Sequence, residues 1–320
     1  MGISWQVAIT NLTSVAVLVF AFGFIAARIK SDVRIPEPIY QAISIYLLFG
    51  IGLKGGNALH TATFDEFIAP ALGTIFIGIL IPLVAFFTLR VIKRLNVIDR
   101  GAIAAHYGST SLVTFSAGLL FLENNLIEVE GFATALLTLL EIPGLIVGIY
   151  LGTRSSNAKV KWRETITEVL LGKTVLLLAG GLLIGAITSD AGYRAVSPFF
   201  VDLLNGILVL FLLHLGFIAG SNWFEIKQVG FPLIIFAILF PMFAGTVGVV
   251  VGTITGLSVG GAAILGILAA SASYIAAPAA ISVAMPQANG SLALMASIGV
   301  TFPFNLILGI PIYLRIAQMI

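Results

Sequence analysis

The chain has 320 residues, of which 59% are hydrophobic and 9% charged, against about a quarter charged in an ordinary soluble domain. A mean hydropathy of +1.12 makes lipid the solvent for most of the chain and excludes cytosolic enzymes, secreted disulfide scaffolds and nucleic-acid binders. The net charge of +2 leaves no electrostatic footprint for nucleic acid. With no cysteine present, disulfides, thiolate nucleophiles and sulfur-ligated metal sites are also ruled out.

A helix needs about 20 apolar residues to cross the hydrocarbon core, so spans are expected between the charged residues. The first runs to residue 27, before Arg28, and is too long and lacks the basic start of a cleavable signal. Then follow Pro38 to Leu53, Phe67 to Leu89, Gly101 to Leu122, Gly131 to Thr153 around Glu141, Val169 to Ser189 around Lys173, and Leu203 to Phe224. From Gln228 to Leu314 there are 87 residues without one Asp, Glu, Lys or Arg, enough for three more helices. The expectation is an all-α polytopic membrane protein of about ten spans, since continuous apolar runs of this length do not suit a β-barrel.

Basic residues mark the cytoplasmic loops. Arg28, Lys30 and Arg34, then Arg90, Lys93, Arg94 and Arg100, then Arg154, Lys159, Lys161 and Arg163 fill loops one, three and five. The alternate loops carry Asp65 and Glu66, then Glu123, Glu128 and Glu130. Both termini are therefore expected outside, with Lys54, Arg194 and Arg315 as exceptions.

The two halves echo each other. Residues 51–56 (IGLKGG) match 215–220 (LGFIAG), 164 positions on; 108–111 (GSTS) match 270–273 (ASAS), 162 on; 141–144 (EIPG) match 301–304 (TFPF), 160 on. With five spans per half, the second half enters the membrane from the opposite side, giving a 5+5 inverted-topology repeat of the kind found in secondary transporters. The expected units are a first five-helix repeat at 1–155, a short cytoplasmic linker at 156–165 and a second repeat at 166–320.

In such repeats the site lies near the midplane, where paired helices are interrupted. Spans four and nine, with AAHYGSTSLVTFSAG and AASASYIAAPAAISVAMP, are the candidates for broken crossover helices. The hydroxyls of Ser109, Thr110, Ser111, Thr114, Ser271 and Ser273, with carbonyls freed by unwinding, are hard oxygen ligands suited to a small alkali cation. The same residue types also let membrane helices pack closely, and the sequence leaves that alternative open. Glu141 lies deep within its span, where an ionised carboxylate requires a partner; it is read as a ligand or sensor of the coupling cation, with Thr301 at the equivalent position and a structural hydrogen bond as the alternative. Lys54 and Lys173 are expected to snorkel to an interface. His106 is read as a packing histidine, and the Gly144/Gly148/Gly152, Gly181/Gly185 and Gly248/Gly252 runs as packing seams.

Six segments carry a family resemblance: IKSDVRIPEPIYQAISIYLLFGIGLKGG, AAHYGSTSLVTF, LLEIPGLIVG, PFFVDLLNGILVLFLL, GLSVGGAAILGILAASASYIAAPAAI and ASIGVTFPFNLILGIPIYL. In these, and in their order, the chain resembles the cyanobacterial and wider bacterial sodium-dependent bicarbonate transporter family. The resemblance implies a ten-helix inverted repeat with core and gate domains, sodium-coupled bicarbonate uptake, a homotrimer, and a PII-like regulatory protein at the cytoplasmic face. It places substrate at Ser109, Thr110, Ser111, Ser271, Ala272 and Ser273. Sodium is assigned to Ser111, Thr114, Glu141, Ser273 and Thr301, with no other metal and no cofactor. Two features depart from the family pattern: Tyr274 stands where the best-known members have an acid, and the central loop is short. The sequence therefore reads as a sodium:bicarbonate symporter of the plasma (cell inner) membrane and not an enzyme. The alternatives are a sodium-coupled carrier of another small anion, a passive channel and, most remotely, a polytopic membrane enzyme.

Overall fold

The computed structural model describes residues 11–61, 64–154, 161–223 and 230–320. Among these the chain is helical with no strand, as lipid requires of a segment that must satisfy its own N–H and C=O groups. Helices α1 to α6 are Val15–Arg28, Glu37–Ala58, Phe64–Thr88, Val97–Gly108, Leu112–Asn124 and Ala133–Thr153. Next come α7 Trp162–Leu171, α8 Lys173–Ile187, α9 Asp190–Ser221, α10 Phe231–Ile254, α11 Val259–Ala270, α12 Ala276–Ala284 and α13 Gly290–Ala317. Of these, α2, α3, α6, α9, α10 and α13 are long and apolar enough to cross a membrane, and α7 with α8, bent by 46°, adds an interrupted candidate. The linker expected at 156–165 lies outside the described residues as far as residue 160.

Local chemistry sets the helix boundaries. Asn96, Ser111 and Ser258 each accept a backbone N–H from three residues on, Asp99, Thr114 and Gly261 respectively, which is how short polar side chains start a helix. Glycine sets the helix–helix distances. A methyl group added at Gly52 of α2 would lie 2.7 Å from the Leu178 carbonyl oxygen and 3.0 Å from Gly181 Cα of α8. At Gly148 of α6 it would lie 2.5 Å from Ala105 Cα of α4, and at Gly248 of α10, 2.7 Å from the Leu265 carbonyl oxygen of α11. The three glycine runs singled out in the sequence are thus packing seams, where the missing side chains let backbones touch.

Two groups of helices result. In one, α1 packs along α9 and α2 along α8; in the other, α3 and α6 pack around α4, and α10 and α13 around α11. The outward faces are apolar: Leu18, Phe22 and Ile25 on α1, Leu72, Phe76 and Ile79 on α3, and Leu239 and Phe243 on α10 are all exposed. Faces this large and this apolar require lipid rather than water, and the chain is a multi-pass membrane protein.

Candidate transport site

Helix α4 stops at Gly108 and α5 starts at Leu112; α11 stops at Ala270 and α12 starts at Ala276. The two interruptions lie side by side. Ser111 donates its backbone N–H to Ser271 Oγ at 2.9 Å. Ser273 donates its N–H to the His106 carbonyl at 2.8 Å, while His106 Nδ1 lies 2.6 Å from the Ser273 carbonyl oxygen. The last turn of α4 and the second interruption are thus held in a two-way clasp. His106 is therefore more than the packing histidine expected.

The interruptions run in opposite senses. Glu130, just before α6, accepts the Ser258 N–H at the start of α11. Asn289, just before α13, donates its N–H to Asp99 Oδ1 at the start of α4, at 2.8 Å. Helices α4 and α11 therefore approach the middle of the molecule from opposite ends. Meeting there, each presents its carbonyl end, the negative end of the helix dipole, while α5 and α12 present their positive amide ends.

Ser109, Thr110, Ser111, Thr114, Ser271, Ala272, Ser273, Glu141 and Thr301 are all buried. Glu141 Oε2 accepts from Thr110 Oγ1 at 2.5 Å and from the Thr110 N–H at 3.3 Å. The carboxyl group of α6 thereby bonds the first interruption. Glu141 Oε1 has no hydrogen bond of ordinary geometry among the described residues, although the Ser109 hydroxyl is near enough to act on the carboxyl. A buried carboxyl oxygen so weakly satisfied needs an explanation, and beside a hydroxyl it suits a cation bound by hard oxygen ligands. Thr301 lies elsewhere in the hydrogen-bond network: its hydroxyl donates to the Ala237 carbonyl at 2.7 Å and meets Tyr107 Oη at 2.7 Å. No hydrogen bond joins it to Glu141 or to either serine cluster. Ser273 Oγ accepts the Ala277 N–H at 3.2 Å.

Sequence reasoning left Tyr274, Asn305 and Ser44 out of the site. Tyr274 Oη bonds Ser111 Oγ at 3.1 Å, and Asn305 Nδ2 donates to the Ala270 carbonyl, the last of α11, at 2.8 Å. Ser44 of α2 is buried with its hydroxyl unpartnered; a serine in a long apolar helix was the only available signal.

Among the cavities between the helix groups are two along α2. One, of about 370 Å³, is bounded by Lys54, Ser116, Glu123, Asp202 and Asn205. The other, of about 310 Å³, is bounded by Tyr40, Gln41, Glu168, Lys173 and Tyr274. Lys173 does not run free to an interface, since its Nζ bonds Gln41 Oε1 at 2.5 Å. Along α2 the cavities reach Gln41 and Ile51, ten residues or about 15 Å apart. Tyr274, which bonds Ser111, borders one cavity, and Ser116, one turn beyond Ser111 on α5, borders the other.

Two helix ends meeting two helix starts over buried hydroxyls in an apolar bundle suit a membrane transporter. The chain belongs to the Na+-dependent bicarbonate transporter superfamily, whose family model matches residues 15–318. No curated protein matches it. It is a transporter and not an enzyme.

Proposed function

We propose that the chain is a sodium:bicarbonate symporter working by alternating access around the two interruptions. The observation that carries this reading is the contact between the breaks, Ser111 N–H to Ser271 Oγ. It brings four helix ends, two positive and two negative, to one buried place. An anion is served by the amide ends of α5 and α12 and a cation by the carbonyl ends of α4 and α11, with the Glu141 carboxyl offering an oxygen to sodium. Substrate is assigned to Ser109, Thr110, Ser111, Ser271, Ala272 and Ser273, and sodium to Ser111, Thr114, Glu141 and Ser273. Thr301 supports this site through Tyr107.

The 5+5 inverted repeat is part of the proposal, with ten spans and units at 1–155 and 166–320 joined by the linker. Its support is the exchange of partners. Gly52 and Gly56 of α2 face the backbone of α8, and their counterparts Gly216 and Gly220 face the backbone of α1. Likewise, Glu130 of the first half ties α11 while Asn289 of the second ties α4. Helices α1, α2, α8 and α9 form the gate, and α3–α6 with α10–α13 the core. The charge pattern supports termini outside the cell inner membrane. The resemblance supports a homotrimer, which native mass measurement tests, and a PII-like partner, which co-purification tests.

The experiment is uptake of labelled bicarbonate into proteoliposomes with and without an inward sodium gradient. Symport requires accumulation that depends on that gradient. Sodium-driven uptake of a different small anion, with none of bicarbonate, favours the alternative substrate, and equal flux without sodium refutes coupling.

A further inference from the structure

Of the residues bounding the 310 Å³ cavity, Tyr274 hydrogen-bonds to Ser111 of the first serine cluster. Its ring is nearly buried, at 8% exposure, and stands edge-on to Phe302 with centroids 5.8 Å apart, so the hydroxyl is held in place. Ser111 and Tyr274 bring one hydroxyl proton each. Their mutual bond uses one, and Ser111 Oγ is also occupied in accepting the Thr114 N–H at 3.2 Å. The other proton has no acceptor among the described residues, although a buried donor left unmade is costly. A site for a small oxyanion with no lysine or arginine at its centre needs neutral donors of this kind.

We propose that Tyr274 is a substrate-contacting residue, in which the spare hydroxyl proton of the Ser111–Tyr274 pair is donated to an oxygen of the transported anion. This rests on the symport reading and adds to it a determinant of anion affinity at the end of the site that faces the 310 Å³ cavity. The anion uses the phenol's proton whereas sodium needs only oxygen lone pairs, which Ser111 keeps, so deleting the hydroxyl should weaken the anion more than the cation. Phenylalanine keeps the ring against Phe302 and deletes the hydroxyl.

The test is labelled bicarbonate uptake by wild type, Tyr274→Phe and Tyr274→Met in proteoliposomes, paired with thermal melting of each purified protein in bicarbonate-free buffer with and without sodium. In whichever variant assembles, the apparent KM for bicarbonate should rise roughly tenfold or more, as expected for a lost hydrogen bond to a charged group. The stabilisation by sodium alone should correspond to a much smaller change in affinity, because Ser111 keeps its own oxygen. A merely structural role would weaken sodium binding by as large a factor as bicarbonate binding, and that result overturns the proposal. Wild-type KM in an assembled variant also overturns it while leaving the symport reading intact. Wild type that takes up no bicarbonate overturns both.

Discussion

Glu141→Gln is the sharpest probe of the cation site, because it removes a charge while keeping volume and an acceptor for Thr110. In the wild type one carboxyl oxygen takes two bonds from Thr110 and the other takes none of ordinary geometry. If sodium sits on the free oxygen, the variant replaces a charge-assisted contact by a neutral one, a loss of about 1.5–3 kcal/mol. That corresponds to a sodium Kd raised roughly tenfold to a hundredfold. Binding to the folded state alone stabilises it by RT ln(1 + [L]/Kd), about 2.7 kcal/mol when sodium is at 100 Kd. A tenfold weaker site reduces that gain to about 1.4 kcal/mol at the same concentration. In sodium-free buffer the sign reverses: a buried carboxyl with no basic partner costs stability, so Glu141→Gln should melt at the wild-type temperature or above. The assay is thermal unfolding of detergent-purified protein across a sodium titration, alongside sodium-dependent uptake. A variant with the wild-type sodium increment and uptake rate would refute the assignment. A variant less stable without sodium would show that the carboxyl serves the fold through Thr110 instead.

Ser44→Ala deletes a buried hydroxyl that satisfies nothing on the α2 face bearing Tyr40 and Ile51, one residue from each cavity. Stability should be unchanged or rise, with bicarbonate kcat/KM in uptake assays falling about tenfold if that hydroxyl meets the passing substrate; unchanged uptake removes Ser44 from the path. Gly52→Leu should abolish the α2–α8 seam, since even its Cβ would lie 2.7 Å from the Leu178 carbonyl oxygen; size-exclusion chromatography should show loss of the folded species, and a normally assembled variant would contradict the seam. In the cysteine-free chain, Lys161→Cys should react with an impermeant thiol reagent only from the cytoplasmic side and Glu123→Cys only from outside. Labelling of Lys161→Cys in intact cells would invert the proposed topology.

The sequence carried the helical class, and the helix ends at Gly108 and Ala270 fall within the segments it singled out, because both depend on short-range chemistry. Long apolar runs admit helix and little else, and Gly108-Ser109 or Ser271-Ala272-Ser273 weakens a helix wherever it falls. The clusters were legible as buried hydroxyls, which the structure brings together through Ser111 and Ser271; their role as ligands is part of the proposal. What stayed hidden depended on partners distant in sequence. Thr301 is aligned with Glu141 by the repeat, yet its hydroxyl is spent on Tyr107 and the Ala237 carbonyl. A repeat transfers backbone position, while the side chain's partner is set by whichever helix packs against it. Tyr274 was visible only as a departure from a family pattern, because nothing in the local sequence ties a phenol to a serine 163 positions earlier. Lys173 looked like an interfacial lysine until α2 brought Gln41 against it.

The charges at the interruptions also bear on why the two ligands should move together. Among the described residues Glu141 is the acid buried beside them, while Lys54 and Lys173 line the flanking cavities. An anion entering alone would meet only helix amide ends and hydroxyls, each end worth about half a positive charge, while sharing the cavity with a carboxyl. A sodium ion on Glu141, as proposed, would remove that opposition and add a full positive charge a few ångströms away, so each ligand should tighten the other by the same factor. The gate can then close over the pair at low electrostatic cost, whereas closing over the anion alone would bury an uncompensated charge.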